Sequence, residues 1–533
     1  MAGVARIMGA ETEFGVHAPS KLSANPTVLS AFVVNTYDSL FKAELSARLA
    51  SRWEYGSEAP LADARGFELA EQLADPSQLT HRYRELTSEE IAAEALSEAG
   101  HFAERIDWDA VTMNSILPNG ARLYVDHAHP EYSSPEVTSP RDAVLWDAAG
   151  DLIAARTVAE IERQVAAGSL ALPAVNLYKN NTDGKGQSYG SHENYLLPRS
   201  VDFEYLASVL LPFFATRQVL VGAGRVGLGV SGQEPGFQLS QRADFFERTV
   251  GLETTVRRPM VNTRDEPHAQ SRLFRRLHVI SGDANLSQTS NLLKFGTMAL
   301  VLNLVEAGVA PRIRLADPVA AMHLVSRDLS FSAPLPLASG GSMTALEIQR
   351  AYLQAALEFE GRADEQTAEI LGLWAEVLDA LAYDPLSLAD RLDWVAKYAL
   401  LKAYRDRGLS WSDPKLAAID LQYSDLRPEK GLYHRLVAMG RMRVIFTPEQ
   451  IAWAADQPPA DTRAYARGKL ISTWPDEVVS ANWDTLSVRP PLSTEVVRLD
   501  MDDPAGFTAA VVDPLLDVDH ADEFLSRLRA SAC

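Results

Sequence analysis

Apolar and polar positions alternate in short stretches of this chain and recur at helical spacing in longer ones. Over residues 6–16 the pattern predicts a strand, with Glu11 and Glu13 two residues apart and therefore on one face. From 27 to 49, Ala, Leu, Phe and Val return every three or four positions, which predicts a helix. Asn119-Gly120 is a turn signal ahead of a strand over 121–126, where Leu123 and Val125 alternate with Arg122, Tyr124 and Asp126. Helical spacing returns over 140–167, 289–308 and 344–407. In the second of these, Leu292, Phe295, Met298, Leu302 and Val305 form an apolar stripe. Strand-like and glycine-rich pieces alternate between 174 and 283, with one strand expected over 217–221.

Two stretches break this rhythm. Roughly 45–115 reads as an insertion: a Pro- and Gly-punctuated part over 53–66, then a charged, helix-prone stretch over 68–104. On composition alone it is a solvated decoration, partly helical and partly mobile. The part from 428 carries its own helical pieces, a Pro458-Pro459 break and Pro490-Pro491, and is expected to form a small C-terminal domain, 428–533, after a large domain, 1–427. No internal repeat or long low-complexity segment is evident.

Composition narrows the function. The 533 residues carry 50 Lys+Arg and 71 Asp+Glu, a net charge of 50 − 71 = −21, with 47% hydrophobic and 23% charged residues. That is a globular composition. The charge excludes non-specific nucleic-acid binding as the main activity, because phosphate affinity needs clustered cations. The single cysteine, Cys533, excludes an intrachain disulfide or a cysteine metal site. No apolar run approaches the roughly 18 residues of a membrane-spanning helix, and the first residues lack a signal-peptide core, so a soluble, cytoplasmic protein is expected.

Four clusters could carry chemistry. Glu11 and Glu13, in Gly9-Ala10-Glu11-Thr12-Glu13-Phe14-Gly15, repel one another unless a cation lies between them, and a hard divalent ion is the natural partner. Arg122, Tyr124 and Asp126 share a strand face, and His127, His129 and Glu131 follow at once, a density typical of metal or acid–base sites. The loop from Lys179 to Tyr195 is polar and glycine-rich and ends in His192-Glu193-Asn194. It is neither an EF-hand nor a P-loop: Asn194 stands where the bidentate Glu belongs, and Gly186 where Ser or Thr is required. Arg264, Arg272, Arg275 and Arg276 lead into His278, a forked-cation pattern suited to carboxylates or phosphates. Gly222-Ala223-Gly224-Arg225-Val226-Gly227 has dinucleotide-loop spacing, but the glycine-rich residues that follow cannot open the helix such a loop requires.

These segments, with Asp183-Gly184-Lys185-Gly186-Gln187-Ser188-Tyr189, Arg276-Leu277-His278-Val279-Ile280-Ser281-Gly282-Asp283 and Asp461-Thr462-Arg463-Ala464-Tyr465-Ala466-Arg467-Gly468, resemble the Pup ligase/deamidase family almost end to end. The resemblance implies a glutamine-synthetase-like α/β (α+β) fold, with a curved, mainly antiparallel sheet packed by helices and a small C-terminal domain. The insertion, beginning Arg52-Trp53-Glu54-Tyr55, and the spelling Asp126-His127-Ala128-His129-Pro130-Glu131 resemble the deamidase/depupylase branch rather than the ligase branch. By that resemblance, Glu11, Tyr124 and Glu131 ligate Mg²⁺, and Glu13, His192 and His278 complete the metal and nucleotide site. Arg122, Ser134 and Trp483 contact ATP (or ADP plus phosphate), and Asp126 is the catalytic carboxylate. Arg217, Arg225, Arg264 and Arg276 are weaker candidates for phosphate or Pup-carboxylate contacts. The implied activity is hydrolysis of the C-terminal glutamine amide of Pup and of the Pup–lysine isopeptide bond, with nucleotide and Mg²⁺ as cofactors. The implied partners are Pup, pupylated proteins and a proteasomal ATPase, with neither nucleic acid nor membrane. The alternatives are a Pup–protein ligase and a non-catalytic Pup- or nucleotide-binding protein. Pup in this family is acidic, so the resemblance also implies a local basic groove in a protein whose overall field opposes its partner.

Overall fold

The computed structural model describes residues 3–20, 24–45, 52–54, 58–75, 113–168, 173–183, 186–227, 234–361, 364–491 and 493–531. Most of the charged stretch expected to be helical, and Cys533, lie outside these residues.

Six antiparallel strands form the central sheet: β1 (Met8–Glu13), β2 (Asn114–Ile116), β3 (Arg122–Asp126), β4 (His129–Ser133), β5 (Ser191–Pro198) and β6 (Phe274–Val279). Their spatial order is β6-β5-β1-β4-β3-β2. In β5, buried Ser191, Glu193, Tyr195 and Leu197 alternate with half-buried His192, Asn194, Leu196 and Pro198. The first carboxylate-bearing strand is shorter than its pattern suggests: the chain leaves the sheet at Phe14, and Gly15–His17 pairs instead with Asn176–Tyr178. Gly120 closes the β2–β3 hairpin at φ 79°, a conformation glycine adopts without strain.

The apolar face of the sheet rests on helices α1 (Pro26–Leu45), α2 (Pro140–Ala166), α3 (Phe203–Val221) and α4 (Gln288–Glu306). Serine or aspartate caps open three of them: Ser139 for α2, Asp202 for α3 and Ser287 for α4 each accept a bond from the third helical N–H. The strand expected over 217–221 is instead the last turn of α3. That helix is apolar on nearly every side and carries Pro212, so its sequence lacks the polar face that would mark a helical period. The Gly222–Gly227 segment therefore follows a helix and leads into a strand, Arg225–Gly227, the reverse of a dinucleotide loop. In α4 the expected stripe is buried, and so are Leu293, Ala299, Leu300 and Val301.

Beneath β1, Lys179 Nζ donates to Asp147 Oδ2 at 2.7 Å and Asp151 Oδ2 at 2.9 Å, and Asn291 Nδ2 donates to Asp147 Oδ2 at 2.8 Å. A second core gathers Leu470, Trp474, Val478, Leu486, Leu499, Phe524 and Leu528, whereas Tyr433, Leu436 and Phe446 belong to the first. Trp53, from the start of the insertion, lies in that second core. The strand Arg52–Trp53 pairs in parallel with Val478–Ala481. Among the described residues no helix is long and apolar enough to cross a membrane.

Candidate active site on the polar sheet face

Strand register turns separate sequence motifs into one polar surface. Glu13 on β1 pairs with Glu131 on β4, Glu131 pairs with Tyr124 on β3, and Tyr124 pairs with Asn114 on β2. One row along, Glu11 pairs with Ser133 and with His192, and Ser133 pairs with Arg122. Asn194 pairs with His278 at the far edge.

Five of the six residues expected to bind metal and nucleotide fall, together with Asp126, into two groups. Donor atoms of Glu11, His192 and His278 lie within 4.8 Å of one another, and so do those of Glu13, Asp126 and Glu131. Tyr124 stands beside the second group. In the first, Glu11 Oε2 lies 3.2 Å from His192 Nδ1 and Glu11 Oε1 accepts from Asn194 Nδ2 at 2.9 Å. Asn194 Oδ1 bonds His278 Nδ1 at 2.9 Å. Asn194 was legible as the next residue on the His192 face. Burial pushes the Glu11 carboxyl up, but the His192 hydrogen bond and the nearby His278 and Arg276 outweigh it and hold it well below the usual range. In the second group, burial and then the charges of Asp126, Glu11 and Glu13 hold the Glu131 carboxyl well above that range. Gly190 fits closely against both groups: a Cβ there would come within 2.5 Å of Glu13 Oε1 and 2.6 Å of His192 Nε2.

Asp126 ends β3. It and His129 flank the two-residue turn of the β3–β4 hairpin, and the first turn residue, His127, takes φ 52°. That conformation brings His127 Nδ1 to 2.8 Å from Asp126 Oδ2. Burial raises the Asp126 carboxyl, yet His127 draws it below its ordinary value. His129 stacks on Tyr189 with centroids 4.2 Å apart.

The donor set fits divalent cations on chemical grounds. Three carboxylates crowded in a buried group suit a hard ion, and one carboxylate with two imidazoles suits a borderline one.

The expected nucleotide contacts fall in different places. Arg122 is sandwiched between the rings of Trp53 at 4.0 Å and Tyr124 at 3.7 Å. Trp483 meets Trp53 edge to face at 5.1 Å, and Arg467 covers Trp483 at 5.0 Å. Ser134 lies elsewhere: its hydroxyl accepts from the Ala10 N–H at 2.9 Å and donates to Pro135 O at 3.1 Å. Of the arginines, Arg276 reaches the face: its Nη1 donates to Asn194 Oδ1 at 2.8 Å and lies 3.6 Å from Glu11 Oε1. Arg264 Nε is 3.4 Å from Glu266 Oε2, one residue removed from the face. Arg217 is buried against Glu193 at 2.7 Å on the opposite side of β5, and Arg225 lies 5.7 Å from the Phe245 ring. Sequence reasoning missed Arg242 and Arg258. Both bond Ser188, at 3.3 and 2.6 Å, in the loop that approaches Glu13. Burial, then Arg258, draws the Arg242 guanidinium down to about 9.

Fold and site together define a glutamine-synthetase-like α/β protein whose sheet face gathers two groups of side chains of the kind that can hold a cation. A family profile described as Pup-ligase protein matches residues 6–487. The chain belongs to that family. It is 46% identical to the Depupylase of Acidothermus cellulolyticus over 96% of each chain, and 46% identical to the Pup deamidase/depupylase of Mycobacterium tuberculosis over 98% of this chain and 99% of the other. A Pup–protein ligase of Kocuria rhizophila is 42% identical over 70% of this chain and 82% of its own length. Among solved structures, a complex of Pup with its ligase PafA aligns at TM-score 0.75 and 30% identity, covering 100% of this chain and 93% of that one. PafA in complex with ADP aligns at 0.69 and 34%, covering 88% and 97%.

Proposed function

We propose that this protein is a Pup deamidase and depupylase, a hydrolase of the C-terminal glutamine amide of Pup and of the Pup–lysine isopeptide bond. The observation that carries the reading is near full-length similarity to relatives bearing those names, while the ligase relative matches a smaller share of the chain.

The reading assigns a nucleotide and Mg²⁺ to the polar sheet face. Glu11, His192 and His278, with Glu13, Glu131 and Tyr124, would hold the cation, and Arg122 and Trp483 the nucleotide. The bound groups would supply positive charge for the oxygen of the amide under attack. The chain's own residues do the rest. Asp126, fixed by His127 at 2.8 Å, either attacks the carbonyl carbon directly or takes a proton from the attacking water or phosphate. The C–N bond then breaks, and ammonia or the target lysine amine leaves with a proton; where the nucleophile is not water itself, a water then cleaves the new acyl bond, releasing the glutamate carboxylate of Pup and restoring the nucleophile. The PafA–ADP structure supports a nucleotide site in the family, and the second core supports a small C-terminal domain. A cytoplasmic setting and a proteasomal ATPase partner rest on the family resemblance alone.

Gln-ended Pup incubated with the protein, ATP and Mg²⁺ tests the assignment by intact mass and ammonia release. Conversion of the terminal glutamine to glutamate is expected. No conversion, with Glu-ended Pup instead attached to lysines, would replace it with the ligase reading, the activity named for the two PafA structures at lower identity.

A further inference from the structure

Behind the Glu11 group, one guanidinium stands between two carboxylates. Arg276 Nη1 lies 3.6 Å from Glu11 Oε1, and Nη2 lies 3.4 Å from Glu266 Oε2. Arg276 Nε donates to the Glu266 carbonyl oxygen at 2.8 Å. Glu266 is buried, and its other oxygen, Oε1, accepts the Ala59 N–H at 2.5 Å. Ala59 belongs to a segment docked along 263–266: Ala64 N–H donates to Thr263 O at 2.7 Å, Asp265 N–H to Ala62 O at 2.9 Å, and Thr263 Oγ1 to Asp63 Oδ2 at 2.6 Å.

A guanidinium forms its strongest contact with a carboxylate through two parallel bonds. If Arg276 closed its 3.6 Å gap to Glu11 in that way, Glu11 would lose both the charge and the lone pairs that a cation needs. Glu266 competes for the same guanidinium from the opposite side. We propose that Glu266 is a positioning residue that holds Arg276 off Glu11, keeps the Glu11, His192 and His278 donors open to a divalent cation, and links that state to the docked segment 58–65 through Ala59. The inference rests on the reading that this group takes a cation.

Mn²⁺ titration of the full-length protein, followed by electron paramagnetic resonance without Pup or nucleotide, tests it. His192→Ala identifies which bound ion reports on the group. Glu266→Gln keeps an acceptor for Ala59 but removes the charge, and it should weaken that ion at least about fivefold, an effect that neighbour coupling of this kind can reach. Glu266→Asp, which restores the charge one methylene short, should recover part of the loss. The double variant Glu266→Gln/Arg276→Gln should bind like Arg276→Gln alone, because the competing cation is gone. Hydrogen exchange should show segment 58–66 gaining protection with Mn²⁺ in the wild type and not in Glu266→Ala. Equal Mn²⁺ affinity of wild type and Glu266→Gln, or a double variant as weak as Glu266→Gln, overturns the proposal and leaves the functional reading standing. A wild type that takes up no Mn²⁺ overturns both the cation reading and this proposal, and turnover of Gln-ended Pup then judges the remaining assignment separately.

Discussion

Glu13 and Glu131 stand directly opposite each other on neighbouring antiparallel strands, and Asp126 lies within 4.8 Å of both. Directly opposed carboxylates destabilise a sheet when both are charged, so burial and this crowding hold the Glu131 carboxyl well above its ordinary range, a cost that a bound cation would relieve. Glu131→Gln is expected to raise the thermal stability of protein stripped with EDTA and to abolish most of the gain on adding Mg²⁺. For the wild type, that gain should approach about 2.7 kcal/mol at a hundredfold excess over Kd. Scanning calorimetry with EDTA and with Mg²⁺ measures both arms. An unchanged Mg²⁺ response in the variant counts against the site.

Asp126→Asn keeps the size of the side chain and one acceptor for His127 but removes the base. Conversion of Gln-ended Pup should fall about 10²- to 10⁴-fold, the usual contribution of a positioned base, with the circular dichroism spectrum unchanged. Wild-type turnover in the variant would remove Asp126 from the chemistry.

Glu136 joins the two cores: it accepts from Arg463 Nε at 2.8 Å and also from Arg467 Nη2. Burial opposes its charge, but Arg467 and Arg463 outweigh burial and hold the carboxyl at about 2. A depressed carboxyl adds stability that is fully present above the unfolded value, ordinarily 4.5, and is lost as pH falls towards 2. That difference corresponds to about 3 kcal/mol. Urea unfolding at pH 7 and pH 3 should therefore show a smaller acid loss for Glu136→Gln than for the wild type. Equal losses would mean that Glu136 does not carry this linkage.

Trp53 packs in the second core while its ring covers Arg122, so one side chain serves both packing and the site. Trp53→Ala should cost about 3–5 kcal/mol. Calorimetric titration should also show weaker ATP binding for Trp53→Ala than for Trp53→Phe, which keeps a ring against the guanidinium. Matching ATP affinities in wild type and Trp53→Ala would detach Arg122 from nucleotide binding.

Much of the site was legible because strand alternation is a local rule. Glu11 with Glu13, and Arg122 with Tyr124 and Asp126, share faces by spacing alone. Helix α3 was hidden for the opposite reason: a helix buried on nearly all sides shows no period, and Arg217–Val221 reads equally well as a strand. Arg217 shows a second limit. A guanidinium in sequence carries no label, and only the packing of α3 under β5 commits this one to Glu193.

The sequence by itself determined the family, the polar strands, most of the helices and the residue types that crowd the site, because each follows from local pattern or from an ordered motif. The tertiary structure decided the division of the acids and histidines into two groups. It also paired Glu13 with Glu131, brought Trp53 under Arg122 and set Arg276 between Glu11 and Glu266. These relationships depend on strand register and on contacts between residues distant in sequence, and no local periodicity encodes which distant side chain will fill the space beside a charge.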